Sequence, residues 1–264
     1  MPDAVTTAEP LPLVHPATEV VVVCRSAPAM VDFYTRVLGF RERTLVGRPG
    51  AGIYRLTLGR SVLQLADAGK RVPDNDGGGV GLAELTVAVH DIDEVLGRAL
   101  ARGAEETVDG VTVWRATDPD GNALRVMAGD GLTESACRLH VSLAAADPAA
   151  TLDFYRRRLR LPEATAGDPL LADDEGVLAG DMRIGVRPAP QGASPFADGP
   201  WAAAGLRYLV GFVHDAPALH ATFSGRDIRP VMDLRNDGSK DAFAVADPDG
   251  TWFEFVSLSG KDSR

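Results

Sequence analysis

Cysteine is scarce in this chain of 264 residues, since Cys24 and Cys137 are the only two and form no CxxC pair. A disulfide framework and a thiolate metal site are therefore excluded as organising features. No apolar run approaches the ~20 residues of a membrane-spanning helix, so the sequence predicts no membrane partner. The N-terminus lacks the basic start and apolar stretch of a secretory signal, which favours a cytoplasmic location.

Basic residues are also in deficit, with 27 Lys and Arg against 37 Asp and Glu and a net charge of -10. Nucleic-acid binding needs a basic stripe to meet the phosphates, so this balance argues against a nucleic-acid partner. An acidic surface favours solubility and tolerates cationic small molecules. The apolar share of 45% is that of an ordinary globular protein, and the length predicts about two domains.

The chain contains an internal duplication. VDFYTRVLGF at 31–40 recurs as LDFYRRRLRL at 152–161, and DPDGNALRV at 118–126 recurs as DPDGTWFEF at 247–255. Because the order of the motifs is kept, we interpret the chain as two copies of one unit. The predicted division is a disordered N-terminal tail at 1–16, a first domain at 17–129, a linker at 130–137, a second domain at 138–258 and a C-terminal tail at 259–264.

Each copy contains two shorter units that run strand, helix and further strands. A Val-rich strand over 19–24 leads into a helix in which Pro28 occupies the first turn and Gly39 marks the end, with Ser26 as the predicted cap. Aspartates are the predicted caps of the three corresponding helices, at Asp91, Asp147 and Asp215. Alternation along the strands then separates an apolar face from a mixed face that would line a cavity.

The motifs FYxxxLGF at 33–40 and DPDG before a last strand, duplicated in the same order, resemble the vicinal oxygen chelate superfamily. That superfamily includes glyoxalase I, extradiol dioxygenases, fosfomycin-resistance enzymes and bleomycin-resistance proteins. The resemblance covers nearly the whole chain after residue 16. It implies an α+β fold of two tandem domains, each a pair of βαβββ units forming a cupped mixed sheet with flanking helices.

The pairing of the four units is left open by the sequence. In one arrangement the two units of each copy pair with one another. In the other they pair across the copies, which would join Glu19 with Tyr208 and Glu254, and His140 with Glu84 and Arg125.

The resemblance also implies where a metal would be held, namely on the first strand of each unit and seven residues after the first Asp of DPDG. These positions are occupied by Glu19, Glu84 and Arg125 in the first copy, and by His140, Tyr208 and Glu254 in the second. A guanidinium has only donors and cannot ligate a cation, so the first set is expected to contact substrate or form an ion pair. His140 and Glu254 supply the nitrogen and oxygen that Fe, Mn, Zn or Ni accept.

Function is therefore predicted in the second copy, by one of two mechanisms. Either a divalent metal held by His140 and Glu254 polarises the substrate, or no metal is bound and His140, Tyr208 and Glu254 act as acid and base. Further substrate contacts are expected from the same strands, at Ser142, Val210, Phe212 and Trp252.

Two classes of function remain. The first is a glyoxalase- or dioxygenase-like enzyme, that is a lyase, isomerase or dioxygenase, acting on a small oxygenated molecule such as an aromatic compound or secondary metabolite. The alternative is a protein of bleomycin-resistance type that sequesters a drug without catalysis. Either would have a small molecule as partner and would be a monomer or homodimer.

Overall fold

The computed structural model describes residues 10–14, 18–46, 52–69, 72–73, 79–99, 103–108, 111–129, 132–165, 175–193, 199 and 201–258. The predicted C-terminal tail and most of the predicted N-terminal tail lie outside these residues. In the part of the chain so described, no helix has the length and apolar character needed to cross a membrane.

The chain folds as four successive units, two in each copy. The first contains β1 (Glu19–Cys24), α1 (Ala27–Asp32), β2 (Arg41–Val46), β3 (Ile53–Leu58) and β4 (Ser61–Asp67). The second contains β5 (Gly81–Val89), α2 (Ile92–Ala99), β6 (Ala104–Val108), β7 (Val111–Thr117) and β8 (Ala123–Ala128). The third contains β9 (Arg138–Ala145), α3 (Pro148–Asp153), β10 (Glu175–Ala179) and β11 (Met182–Pro188). The fourth contains β12 (Gly205–Phe212), α4 (Ala216–Ser224), β13 (Pro230–Asn236), β14 (Lys240–Ala246) and β15 (Trp252–Leu258).

The helices begin where the sequence predicts, and Ser26 is the N-cap residue of α1 as expected. Asp91, Asp147 and Asp215 each accept a hydrogen bond from the backbone N–H three residues on. Ser26 makes no such side-chain bond. As at Asp147 and Asp215, the carbonyl oxygen of Ser26 accepts the first helical hydrogen bond, here from Met30 at 3.1 Å.

The strands form two mixed sheets that each combine one unit from either copy. The eight-stranded sheet has the order β13-β14-β15-β12-β1-β4-β3-β2, and the seven-stranded sheet has the order β10-β11-β9-β5-β8-β7-β6. At the junctions, β1 is antiparallel to β12 with Val21 opposite Tyr208, and β5 is antiparallel to β9 with Thr86 opposite His140.

This topology confirms the expected α+β fold of tandem βαβββ-type units, and the pairing is the one that crosses the copies. The predicted linker at 130–137 therefore separates two copies of the sequence but does not separate two sheets. The domain ranges 17–129 and 138–258 stay predictions about the duplicated sequence.

One face of each sheet packs against the helices and forms the main apolar core. Leu139, Val141 and Leu143 of β9 lie in this core, as do Phe253 and Phe255 of β15. Residues between them on the same strands project from the opposite face, because neighbours in a strand alternate. We call this opposite side the inner face of each sheet.

Within each copy, the two recurrent sequence motifs are joined by a hydrogen bond between their side chains. The Tyr34 hydroxyl donates to the carboxylate of Asp118 at 3.1 Å, and the Tyr155 hydroxyl donates to Asp247 at 3.1 Å. Burial raises the pKa of both tyrosines well above the ordinary value, so each hydroxyl keeps its proton. FY and DPDG thus tie the first unit of a copy to the second, while the sheets tie the copies together.

Candidate functional site

The inner faces divide the predicted catalytic residues into two groups. We call the inner face of the eight-stranded sheet the Tyr208 face and that of the seven-stranded sheet the His140 face. Tyr208 and Glu254 lie on neighbouring strands of the Tyr208 face, whereas His140 lies on the other sheet. His140 and Glu254, which we expected to share one site or one metal ion, therefore lie on different sheets, because the units pair across the copies.

The Tyr208 face is mainly apolar. A cluster separate from the main core covers it, formed by Val21, Val23, Ala66, Tyr208, Val210, Ala242 and Val256, with Ile53, Phe212, Met232 and Trp252 partly buried against it. Three predicted substrate contacts, Val210, Phe212 and Trp252, thus lie together beside Tyr208. Such an apolar surface with a few polar groups is typical of a small-molecule site.

Glu19 is a buried charge on the Tyr208 face, and both of its carboxylate oxygens are bound. One accepts a hydrogen bond from Arg55 of β3 and the other from Gln64 of β4. The glutamate side chain is only 4% exposed, so this charge needs its partners. Sequence reasoning missed Arg55 and Gln64, although each interrupts the apolar pattern of its strand between residues that face the core.

Glu254 and Tyr208 are polar groups of this face whose side chains form no hydrogen bond within the described residues. Burial raises the pKa of Glu254, and the charge of Glu19 raises it further against the opposing attraction of Lys240. Burial likewise raises the pKa of Tyr208, with the Glu254 and Glu19 carboxylates adding to the effect. The phenol therefore stays a proton donor, and the carboxyl is more basic than an ordinary glutamate.

His140 is buried in a cationic environment on the other face. Its Nδ1 accepts a hydrogen bond from the backbone N–H of Arg183 at 2.9 Å. Burial, followed by the charges of Arg183 and Arg138, lowers the pKa of the imidazole to about 3. The ring is therefore neutral at pH 7 with its proton on Nε2, and among the described residues this nitrogen has no hydrogen-bond partner.

The other predicted residues of the His140 face surround this imidazole. Ser142 lies opposite Glu84 across the β5–β9 junction, and Thr86 is flanked by His140 on one side and Arg125 on the other. Glu84 accepts a hydrogen bond from Arg115 of β7 at 3.1 Å. Sequence reasoning missed Arg115, the ion-pair partner of Glu84, and Arg183, whose backbone N–H binds His140.

Among the residues that the structure describes, neither face offers the ligands of a divalent metal. On the Tyr208 face, Glu19 is bound by Arg55 and Gln64, which leaves one carboxylate and a protonated phenol. On the His140 face, the tautomer of His140 points a donor N–H inward, and the carboxylate of Glu84 is bound by Arg115. Within the described residues no three side chains of His, Cys, Asp or Glu lie close enough to hold a metal ion. The residues present therefore do not fit the metal that the superfamily commonly holds.

The class of protein follows from the fold, in which βαβββ-type units pair to form two mixed sheets. The family model of the Glyoxalase/Bleomycin resistance protein/Dioxygenase superfamily matches residues 15–126 and again 138–255. The chain belongs to this superfamily, as its repeated motifs imply. No curated protein matches the chain.

Solved structures share the fold at low sequence identity. Glyoxalase I from Zea mays is 15% identical with a TM-score of 0.72, and the match covers 91% of this chain and 92% of that protein. A putative dioxygenase from Bacillus subtilis subsp. subtilis str. 168 is 15% identical with a TM-score of 0.69, covering 95% and 86%. The cppA protein from Streptococcus pneumoniae TIGR4 is 13% identical with a TM-score of 0.59, covering 94% and 99%. At these identities the likeness concerns the fold alone.

Proposed function

We propose that the chain is an enzyme that moves a proton at a carbon next to a carbonyl group, in a small oxygenated molecule bound on the Tyr208 face. The observation that carries this proposal is the pairing of Glu254, a carboxyl with a raised pKa and no hydrogen-bond donor in the described residues, with the protonated Tyr208. The apolar surface around them supports binding of the carbon skeleton.

The mechanism divides into a base step and an acid step. The Glu254 carboxylate takes the proton from the carbon, and the electron pair of that C–H bond moves towards the carbonyl oxygen. The Tyr208 hydroxyl donates a hydrogen bond to the oxyanion that develops there. If the protonated Glu254 carboxyl exchanges its proton with solvent, return to the same carbon gives isotope exchange, and return to a neighbouring carbon gives an isomer.

The surroundings favour this division of roles. A base is most effective when its pKa approaches the working pH, and burial together with Glu19 moves Glu254 in that direction. Glu19 itself is held by Arg55 and Gln64 and so does not compete for the proton. Val210, Phe212 and Trp252 would contact the substrate, whereas His140 has no part in this step because it lies on the other sheet.

Deuterium exchange from solvent tests the proposal directly. A panel of small α-hydroxyketones and α-ketoaldehydes would be incubated with the protein in D₂O, and incorporation at carbon followed by NMR. We expect exchange that Glu254→Gln lowers at least about 100-fold and Tyr208→Phe at least about tenfold, which are ordinary losses for a general base and an oxyanion donor. Glu105→Gln, at an exposed residue of β6, is the control and should exchange as the wild type does.

Sequestration without catalysis is the second candidate, because most of the Tyr208 face is apolar. In that case a ligand would raise the Tm of the wild type and of Glu254→Gln equally, and no member of the panel would exchange. That result would contradict the proposed enzyme. A cytoplasmic protein that is a monomer or homodimer stays our prediction.

A further inference from the structure

We infer that Cys137 and His90 form a two-coordinate site for a soft monovalent metal ion, of which copper(I) is the biological example. The inference is carried by the distance between the two donor atoms and by the cavity that both residues line. It is independent of the activity proposed for the Tyr208 face, because the two residues lie at strand ends of the other sheet.

The pairing of the copies brings the two donors together. His90 follows β5, and Cys137 directly precedes β9. These strands are antiparallel with Ala88 opposite Arg138, so the end of β5 lies beside the start of β9. The Cys137 Sγ atom is 3.9 Å from Nδ1 of His90. Because each ligand comes from a different copy, no motif spacing in the sequence predicts the pair, and the absence of a CxxC motif does not bear on it.

The separation of the donor atoms suits two ligands on opposite sides of one ion. Metal bonds to imidazole nitrogen and thiolate sulfur are about 2.0–2.3 Å long, so such ligands stand roughly 4 Å apart. Without an ion, the Cys137 thiol has only weak contacts, since a thiol is a weak donor and its second neighbour, the Thr133 carbonyl oxygen, is 3.6 Å away. Replacing the thiol proton by an ion therefore sacrifices little hydrogen bonding.

The cavity at this pair has a volume of about 250 Å³. Part of its wall is apolar and is formed by Leu38, Leu58, Val89 and Val95. Cys137 is only 1% exposed, but His90 is exposed at the strand exit and gives an ion access from solvent. A thiolate and a monovalent cation together carry no net charge, so their complex suits a partly apolar cavity better than a divalent ion would.

The remaining ligands of the cavity disfavour other metals. Arg98 donates to the Glu94 carboxylate, and Arg41 donates to Glu134. Asp91 accepts the backbone N–H of Glu94 as a helix cap. Within the described residues no third His, Cys, Asp or Glu completes a metal-binding group, whereas zinc requires four ligands and calcium at least six oxygens. A thiolate selects soft ions, and copper(I) is satisfied by two ligands.

Binding exchanges the thiol proton for the ion. Burial raises the pKa of Cys137, so the thiol is protonated at pH 7. The S–H bond breaks, its proton leaves to solvent, and the sulfur forms a bond with the ion. The lone pair of His90 Nδ1 forms the second bond, while the neutral ring keeps its proton on Nε2. No atom changes its oxidation state.

Silver(I) is the first probe, because it shares the preference of copper(I) for two soft ligands and is stable in air. The full-length protein would be titrated with silver nitrate in a buffer free of chloride and thiols at pH 7, with calorimetry for stoichiometry and ¹⁵N-edited NMR of the histidine rings for location. We expect one ion per chain and a change of the His90 Nδ1 resonance that saturates with it. Copper(I), added without oxygen, should show one sulfur and one nitrogen neighbour in X-ray absorption.

Three variants make the result specific. His90→Gln and Cys137→Ser each keep a polar side chain but remove a soft ligand, so we expect affinity to fall at least about tenfold in the first and at least about 100-fold in the second. His214→Gln is the matched control and should bind as the wild type does. His214 precedes the capping Asp215 as His90 precedes Asp91, but the described lining of its cavity contains no thiol.

Equal affinity in the wild type and His90→Gln would overturn the inference, because the ion would then bind to a thiol alone. Loss of binding in Cys24→Ser would also overturn it, since the ion would lie at the other free cysteine. Circular dichroism checks the fold of each variant. If Cys137→Ser does not fold, His90→Gln at an exposed residue and the wild-type NMR titration still decide.

Discussion

Val21 of β1 lies opposite Tyr208 of β12, so the first quarter of the chain and the last quarter form one continuous sheet. This register brings Tyr208 and Glu254 to the same face as Glu19. The same crossing on the other sheet places His140 opposite Thr86. Each inner face is therefore built from both copies of the duplicated sequence.

The crossed pairing predicts that neither copy is stable alone. In a fragment of residues 1–129, β1 and β5 would lose their partners β12 and β9 and become open edges. We expect this fragment and the fragment 130–264 to be aggregated or poorly folded when expressed separately, and to copurify as a folded complex when expressed together. Size-exclusion chromatography would measure the association of the fragments, and circular dichroism would measure their folding. Two folded monomeric halves would contradict the pairing.

Replacing Arg55 should lower the free energy of unfolding, because the buried charge of Glu19 then lacks its cationic partner. Arg55→Met leaves a carboxylate that is 4% exposed without its cation, so we expect a loss on the order of 3 kcal/mol in the free energy of unfolding. The double variant with Glu19→Gln should recover most of this loss, because no buried charge remains. Arg36→Met removes an exposed ion pair with Asp32 and should cost under about 1 kcal/mol. Urea denaturation would measure the free energy of unfolding of these three variants. Equal losses in Arg55→Met and Arg36→Met would refute the argument.

Gly59 should tolerate no side chain. It turns the β3–β4 hairpin at φ +56°, and a Cβ atom there would overlap the carbonyl oxygen of Cys137. Gly69 has nearly the same backbone, φ +61°, but no atom lies within 4 Å of its Cβ position. Gly69→Ala should therefore cost about 1 kcal/mol of backbone strain, and Gly59→Ala at least about 2 kcal/mol more. Thermal unfolding of both variants measures the difference, which should vanish if the linker moves freely away from the hairpin.

Asp247 should make the protein less stable as the pH rises. Burial raises its pKa from 3.8 to about 6, despite hydrogen bonds from Thr251, Tyr155 and Asp249 that oppose the shift. The folded state thus favours the protonated carboxyl, so its contribution is complete below about pH 4 and is lost as the pH rises through about 6. The total is up to about 3 kcal/mol.

Asp247→Asn should remove this dependence. An amide keeps the acceptor for the two backbone N–H groups and cannot ionise. The difference in unfolding free energy between wild type and variant, measured in urea from pH 4 to pH 8, should fall towards high pH. A constant difference across this range would show that Asp247 has no raised pKa.

Local structure was largely predictable. The strand over 19–24 and the helices capped by Asp147 and Asp215 form as expected, because capping and hydrophobic periodicity act over a few residues. The alternation that places Glu254 opposite Phe253 and Phe255 also holds. The partners of these residues were less predictable. Arg55 and Arg115 lie on strands that carry none of the repeated motifs, and their contacts depend on which strands are neighbours.

The sequence by itself determined the duplication, the superfamily, the succession of strands and helices, and the side of each strand that is apolar. These follow from periodicity and composition, which every residue carries locally. Only the tertiary structure decided that Tyr208 and Glu254 lie on one sheet while His140 lies on the other. A strand edge pairs through backbone N–H and C=O groups, which are alike in all four units, so the choice of partner depends on how the whole core packs.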